Sequence, residues 1–306
     1  MNFQIEWRKG QPLIAAGAIL FFVLCRLSEA QERFSVPSRG GAQISVEKSG
    51  SGPALLLVHG SSVDGSTWER VLPGLDGHFT VYVMDRRGHG HSSDAKAYSI
   101  SDEANDVVAV TTAIGQPLTL LAHSYGALCT LLALSNLQQV SHLILYEPPP
   151  TQEPALHKND PALIEQMETY LHADRKNDAL ILFLKSFVGV PPPAVERMKT
   201  LPNWSGRVEM APVLPREVRA VMNAGLTADE LGRRKAPTTM FLGSTSPQSM
   251  VDNTNFICRS MRDCQVMILQ GQGHLASNFA PDLFVAKVLE AVGDTVSGPH
   301  ARPTGN

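Results

Sequence analysis

Ser124 stands in Ala122-His123-Ser124-Tyr125-Gly126, behind an apolar run at 118–121 and ahead of Ala127-Leu128-Cys129. A serine hydroxyl attacks a carbonyl only when a base takes its proton and the backbone holds it clear of its surroundings. A sharp strand-to-helix turn meets the second need, and it admits only small residues two positions either side of the serine. Ala122 and Gly126 satisfy that requirement, with Ala where Gly is more usual. The chemistry this suggests is acyl transfer through a covalent intermediate. It calls for an imidazole base, a carboxylate to orient that base, and N–H donors for the oxyanion.

Of the ten histidines, His274 is the candidate base. It follows the last apolar run in Gly271-Gln272-Gly273-His274, a glycine loop from which an imidazole can hang over a sheet. His123 lies inside the turn, where strand alternation points it away from Ser124, so it reads as structural. His89 and His91, in Arg86-Arg87-Gly88-His89-Gly90-His91, lack a third ligand at metal-binding spacing. The oxyanion donors expected are the backbone N–H groups of Tyr125, after the nucleophile, and of Ser61, after His59-Gly60.

These residues need rigid elements to hold them. Residues 54–58 and 143–146 are short apolar runs, as buried parallel strands are, and 79–84, 118–121, 238–242 and 265–269 read as further strands. Residues 42–48 read as a first strand and 31–41 as a leader to it. Helices are expected at 68–75, at 101–114 with Ser101 as its cap, at 128–137, at 249–259 and at 281–292. Residues 151–225 interrupt the alternation with irregular helical spacing, as at Leu163, Met167 and Leu171. Alternating strands and helices specify a mostly parallel, doubly wound α/β sheet, whose sites form at the carboxyl ends of strands. Every residue singled out for chemistry falls at such an end.

Length and composition agree with one α/β core plus an insertion: 306 residues, 43 % hydrophobic and 18 % charged. The net charge of -3, with no long run of Lys and Arg, argues against a nucleic-acid partner. At the N-terminus Arg8 and Lys9 precede an apolar run over 12–25 and then Ser28-Glu29-Ala30. This is a secretory signal layout with cleavage expected after Ala30, and its apolar run is short for a spanning helix. The expectation is therefore a secreted or periplasmic protein with no stable membrane span after cleavage, the alternative being an anchor formed by the uncleaved segment. In an oxidising compartment Cys258 and Cys264 can form a disulfide or remain two thiols, while Cys129 reads as buried.

His59-Gly60-Ser61-Ser62, Asp85-Arg86-Arg87-Gly88-His89-Gly90-His91-Ser92, the turn around Ser124, and Gly273-His274 together resemble the α/β-hydrolase fold superfamily, in its serine-nucleophile, cap-containing form. The resemblance covers about residues 42–292. It implies a core over 31–150 and 226–292 and a helical cap over 151–225, set between the signal peptide expected over 1–30 and a disordered tail expected over 293–306 from its small, polar residues. It also implies Ser124 as nucleophile, His274 as base, the chain order Ser, acid, His, and a structural role for the loop at Asp85. Relatives commonly place the acid as Asp before Pro after the strand corresponding to 238–242, but here that place reads Gly243-Ser244-Thr245-Ser246-Pro247. Glu147 closes the preceding strand, a place some relatives use, and is favoured as the acid. Asp252 is the alternative.

The implied activity is that of an exported serine hydrolase that cleaves a carboxylic ester or lactone, with no cofactor and no metal, on a partly apolar small molecule. Phe183, Phe187, Met198, Trp204 and Met210 either line the pocket or form the cap's own core. Amidase, carbon–carbon hydrolase or cofactor-free haloperoxidase chemistry would fit the same residues, and so would a non-catalytic ligand-binding protein.

Overall fold

Ala54–Val58 is buried along its whole length, and its side chains divide between two separate cores. Leu55 and Leu57 face one and Leu56 and Val58 the other, as the two-residue period of a strand requires. In the computed structural model residues 32–151, 161–233 and 236–296 are described. The expected signal peptide 1–30, the processing site after Ala30 and positions 297–306 of the expected tail lie outside the described residues.

Eight strands form one sheet: β1 Glu32–Pro37, β2 Gln43–Gly50, β3 Ala54–Val58, β4 Thr80–Met84, β5 Leu118–His123, β6 Val140–Tyr146, β7 Thr238–Gly243 and β8 Cys264–Leu269. Their order is β1-β2-β4-β3-β5-β6-β7-β8. β2 pairs antiparallel with β1 and β4, and every other pairing is parallel. α1 Leu72–Leu75, α2 Ile100–Ile114 and α3 Tyr125–Ala133 precede β6. Between β6 and β7 the chain forms α4 Pro161–His172, α5 Lys176–Leu182, a π turn at Phe183–Phe187, α6 Pro192–Lys199, α7 Trp204–Glu209, α8 Leu214–Asn223 and α9 Ala228–Gly232. α10 Gln248–Ser260, α11 Ala276–Phe279 and α12 Pro281–Val296 complete the order.

One face of the sheet packs Leu56 and Leu120 against Val107 of α2 and Leu128 of α3. The other packs Leu57 and Leu121 against Trp68 and Phe284 of α12. The helices between β6 and β7 hold a third cluster that includes Met167, Leu180, Met198 and Leu214. Each fully buried Leu or Phe contributes about 1.5–3 kcal/mol of transfer free energy, so the layers are stable because both sheet faces are covered.

Several sequence expectations need correction. Residues 32–37, expected as leader, form β1, an edge strand on which only Val36 is buried. The cap of α2 is Ser99 rather than Ser101, because the Ser99 hydroxyl accepts from the Asp102 N–H. The helix expected over 68–75 divides into a 3₁₀ turn at Gly65–Trp68 and the short α1, with Pro73 in its first turn. Residues 293–296, expected in the tail, prolong α12. Other expectations hold: Cys129 is buried, and of the two states left open for Cys258 and Cys264 the disulfide, between α10 and β8, is the one present.

A buried ion pair ties the helical segment to the core. The Arg86 guanidinium grips Glu103 of α2 at 2.7 and 3.1 Å and also binds Glu217 of α8. Burial by itself would raise the Glu217 carboxyl, but Arg86, followed by His89, outweighs that and holds it well below the usual carboxylate range. Glu217→Gln removes a buried charge from a pair whose other member stays, so the fold is expected to lose about 2–4 kcal/mol. Urea titration checks this through a lower midpoint at unchanged slope.

Candidate active site

The turn at Ser124 has the geometry its neighbours' sizes require. Ser124 holds φ 52° and ψ -122°, a left-handed φ that costs a side-chain-bearing residue energy. Its N–H donates to Tyr146 O at 2.9 Å, and its carbonyl accepts from the N–H groups of Ala127 and Leu128 at 2.9 and 3.1 Å. The conformation is thus held by β6 on one side and α3 on the other. A Cβ at Gly126 would meet His59 O at 2.3 Å, and one at Gly60 would meet Ser124 Cβ at 2.9 Å. Only glycine allows the loop after β3 to approach the serine so closely.

Tyr125 opens α3, where first-turn N–H groups have no intrahelical acceptor. Ser61 follows β3 in the loop that Arg86 Nη1 fastens by donating to Gly60 O at 3.0 Å. Ser61, Ser124, Tyr125 and His274 line one cleft. The residues expected as donors, nucleophile and base are therefore brought together from the ends of β3, β5 and β8.

Glu147 follows β6 with a left-handed φ of 44° and is fully buried. Its Oε1 accepts from the Gly243 N–H at 2.8 Å and the Ser246 hydroxyl at 2.5 Å. Its Oε2 lies 2.7 Å from His274 Nδ1. A carboxylate accepts only, so Nδ1 is the donor and Nε2 is left as a base. Ser246, at the place where relatives commonly carry Asp, is thus a donor to the carboxylate supplied by the neighbouring strand. Asp252 lies on α10 and accepts from Gln248 Nε2 at 2.9 Å in an exposed pair, apart from His274.

His123 and His59 are buried and hydrogen-bonded around the site. His123 stacks on Tyr146 at 4.7 Å between ring centroids, and its Nε2 lies 2.9 Å from His274 O, which fixes the loop bearing His274. Burial holds its pKa well below 6.5, so the ring is neutral. His59 is neutral for the same reason, with Nδ1 donating to Gly60 O at 2.8 Å and Nε2 accepting from the Arg86 N–H at 2.9 Å. Asp85 accepts from the N–H groups of Gly65 and His91, each at 2.8 Å, and so organises its loop. Among the described residues no cluster of three His, Cys, Asp or Glu could hold a metal ion.

The cleft has a volume of about 830 Å³ including its open mouth. Its apolar walls come from Pro149 and Pro150 after β6, Phe183 and Phe187 of the π turn, Val221 and Met222 of α8, and Met250 of α10. Of the aromatic and Met residues weighed from the sequence, Phe183 and Phe187 line the cleft. Met198 is buried in the helical segment's own cluster, and Trp204 packs against that cluster and donates to Asn177 Oδ1 at 3.2 Å. Val221, Met222 and Met250 were not anticipated, although helical spacing on α8 brings the first two to one end.

The Alpha/beta hydrolase family matches residues 55–287. An uncharacterized hydrolase, YraK, from Bacillus subtilis is 34 % identical over 144 residues, which are 45 % of this chain and 51 % of that protein. The pimeloyl-[acyl-carrier protein] methyl ester esterase of Vibrio vulnificus is 33 % identical over 95 residues, 31 % of this chain and 36 % of that protein. The chain thus spans about half or less of the length of these curated relatives. The crystal structure of an alpha/beta hydrolase from Sphaerobacter thermophilus superposes with a TM-score of 0.76 at 29 % identity, covering 85 % of this chain and all (100 %) of that one. With a serine turn after β5, an eight-stranded sheet and a family match over most of its length, this chain belongs to the alpha/beta hydrolase family.

Proposed function

We propose that the protein is a serine hydrolase that cleaves carboxylic esters or lactones through an acyl-enzyme. The observation that carries this reading is the 2.7 Å contact between His274 Nδ1 and Glu147 Oε2, with Ser124 and His274 on the same cleft. His274 Nε2 removes the Ser124 proton as Oγ attacks the carbonyl carbon, and the oxyanion rests on the Ser61 and Tyr125 N–H groups. His274 then protonates the leaving alkoxide. Water, deprotonated by the same nitrogen, attacks the acyl carbon, and the proton returns to Ser124 as the acid departs. Glu147 orients the imidazole and stabilises its charged form. These groups supply every proton and charge the sequence of steps requires.

An ester is favoured over an amide by the apolar cleft walls and by the esterase among the relatives. The helices over 161–223, within the cap expected at 151–225, act as a cap in this reading, since Phe183, Phe187, Val221 and Met222 give the cleft its far wall. Export with cleavage after Ala30 is part of the proposal, supported by the signal layout at 8–30 and by the Cys258–Cys264 bridge, which needs an oxidising compartment. N-terminal sequencing of exported protein tests it. A start at Gln31 is expected, and Met1 retained in the membrane fraction would refute it.

The test of the activity is hydrolysis of p-nitrophenyl esters of graded chain length, together with fluorophosphonate labelling at Ser124. Rapid labelling and Ser124-dependent turnover are expected. An unlabelled protein that turns over no ester would end the reading. Asp252→Asn is expected to change kcat/KM by less than about twofold, because an exposed surface pair contributes little. A collapse of activity in that variant would move the acid to Asp252.

A further inference from the structure

Among the described residues three arginines are buried, and two have their charge answered. Arg86 meets Glu103 and Glu217, and Arg87 meets Asp106 at 2.6 and 2.7 Å. Arg207, on α7, is 4 % exposed and is different. It forms no ion pair among the described residues, and its Nε has no hydrogen-bond partner. Nη1 reaches Ser62 Oγ at 3.5 Å, the long limit of a hydrogen bond. A guanidinium taken out of water normally brings a carboxylate with it, since an unanswered buried charge is costly. Burial lowers its pKa to about 10, with Asp64 acting weakly in the other direction, so it is still charged at neutral pH.

The unanswered charge borders a cavity that reaches Ser124. Arg207 lines a tight, otherwise mostly apolar cavity together with Ser124, His274, Thr67, Phe183 and Leu184. It also borders a wider cavity with Asn203, whose buried Oδ1 has no partner either. Ser124 is shared between this cavity and the wider cleft, so a substrate held at the serine has room along the cleft on one side and Arg207 on the other.

We infer that Arg207 is a specificity-determining residue that binds a carboxylate on the non-reacting end of the substrate, so that the preferred substrates are esters with one apolar and one carboxylate-bearing arm. This rests on the serine hydrolase reading and narrows it. A planar guanidinium with free N–H donors matches a carboxylate in shape and charge, and binding satisfies a donor that the free protein leaves bare.

The experiment compares charged and neutral esters of equal length. Monomethyl succinate, glutarate and adipate are set against their dimethyl esters, which puts the charge on the acyl arm. Butanoyloxyacetate is set against its methyl ester, which puts it on the alcohol arm. In wild type, kcat/KM for the charged member is expected to exceed that for the neutral one by roughly ten- to a hundredfold in one of the two series. Arg207→Met is expected to bring that ratio to about one, mainly through KM, and Arg207→Lys to keep part of it. Circular dichroism and fluorophosphonate labelling of Ser124 in Arg207→Met establish that the variant is folded.

A wild-type ratio near one in both series, or an equal loss on charged and neutral esters in Arg207→Met, overturns the inference and leaves the hydrolase standing. Failure of every ester to turn over overturns the hydrolase reading instead. Calorimetric titration with glutarate then decides Arg207 by itself: binding that Arg207→Met abolishes supports the carboxylate site, and no binding to wild type refutes it.

Discussion

Ser124→Ala is expected to lower kcat on a p-nitrophenyl ester by about a millionfold, the loss seen when a serine nucleophile acting with its base is removed. The size of the effect follows from the covalent route: without Oγ there is no acyl-enzyme, and His274 has no partner to deprotonate. The oxyanion donors and the cleft would remain, leaving a residual acceleration over water of about 10³–10⁴. The side chain is small and its loss leaves the sheet contacts intact, so the thermal midpoint should change little or rise, since Ser124 holds a strained φ of 52° for function. A variant with wild-type turnover would mean that the carbonyl is attacked by some other group. Stopped-flow measurement of the p-nitrophenolate burst separates these cases, because the burst requires the acylated serine.

Glu147→Gln is expected to cost about 10⁴ in kcat with little change in KM, the scale seen when a triad carboxylate becomes an amide. The carboxylate accepts three hydrogen bonds, from Gly243 N, Ser246 Oγ and His274 Nδ1. An amide of the same shape has one acceptor oxygen and an NH₂ group. Gly243 N and the Ser246 hydroxyl both sit on Oε1, so the amide oxygen is drawn there and the NH₂ is left facing His274. That forces the imidazole to carry its proton on Nε2, the nitrogen that must be free to act as base. It also removes the negative charge that stabilises the imidazolium in the transition state. Measuring kcat and KM across the pH range checks the prediction: a flat, low profile is expected, and full activity at any pH would exclude Glu147 as the orienting group.

Much of this arrangement was legible in the chain because it is local. The central strands are dominated by apolar residues, β3 without interruption, and β3 and β6 end where a small, polar or proline residue stops them, as at His59-Gly60 and Pro148-Pro149. The turn at Ser124 announces itself through the sizes of Ala122 and Gly126. Glu147 could be weighed from its place at the end of a strand. Its bond with Ser246, 99 residues away, could not, since nothing in the spacing of a glutamate and a serine distinguishes a contact from a coincidence.

β1 was hidden because five of its six residues are not buried and its alternation amounts to only Phe34 and Val36, too short a pattern to mark a strand. Arg207 was hidden for the opposite reason. A charged residue in a polar helical segment ordinarily faces solvent, and only the packing of α7 over the Ser62 loop reveals that it does not.

The exchange between Ser246 and Glu147 bears on how such chains are sorted. A search pattern that demands Asp before Pro in the turn after β7 would discard this protein as a degenerate copy, because Ser246-Pro247 breaks the pattern. The physical requirement is an anionic oxygen at the imidazole Nδ1, and here one lies 2.7 Å away, delivered from the adjacent strand. A filter written in terms of that distance rather than a letter at one position would keep the chain. It would also admit other family members in which the carboxylate has moved one strand over and a hydroxyl has taken its former place.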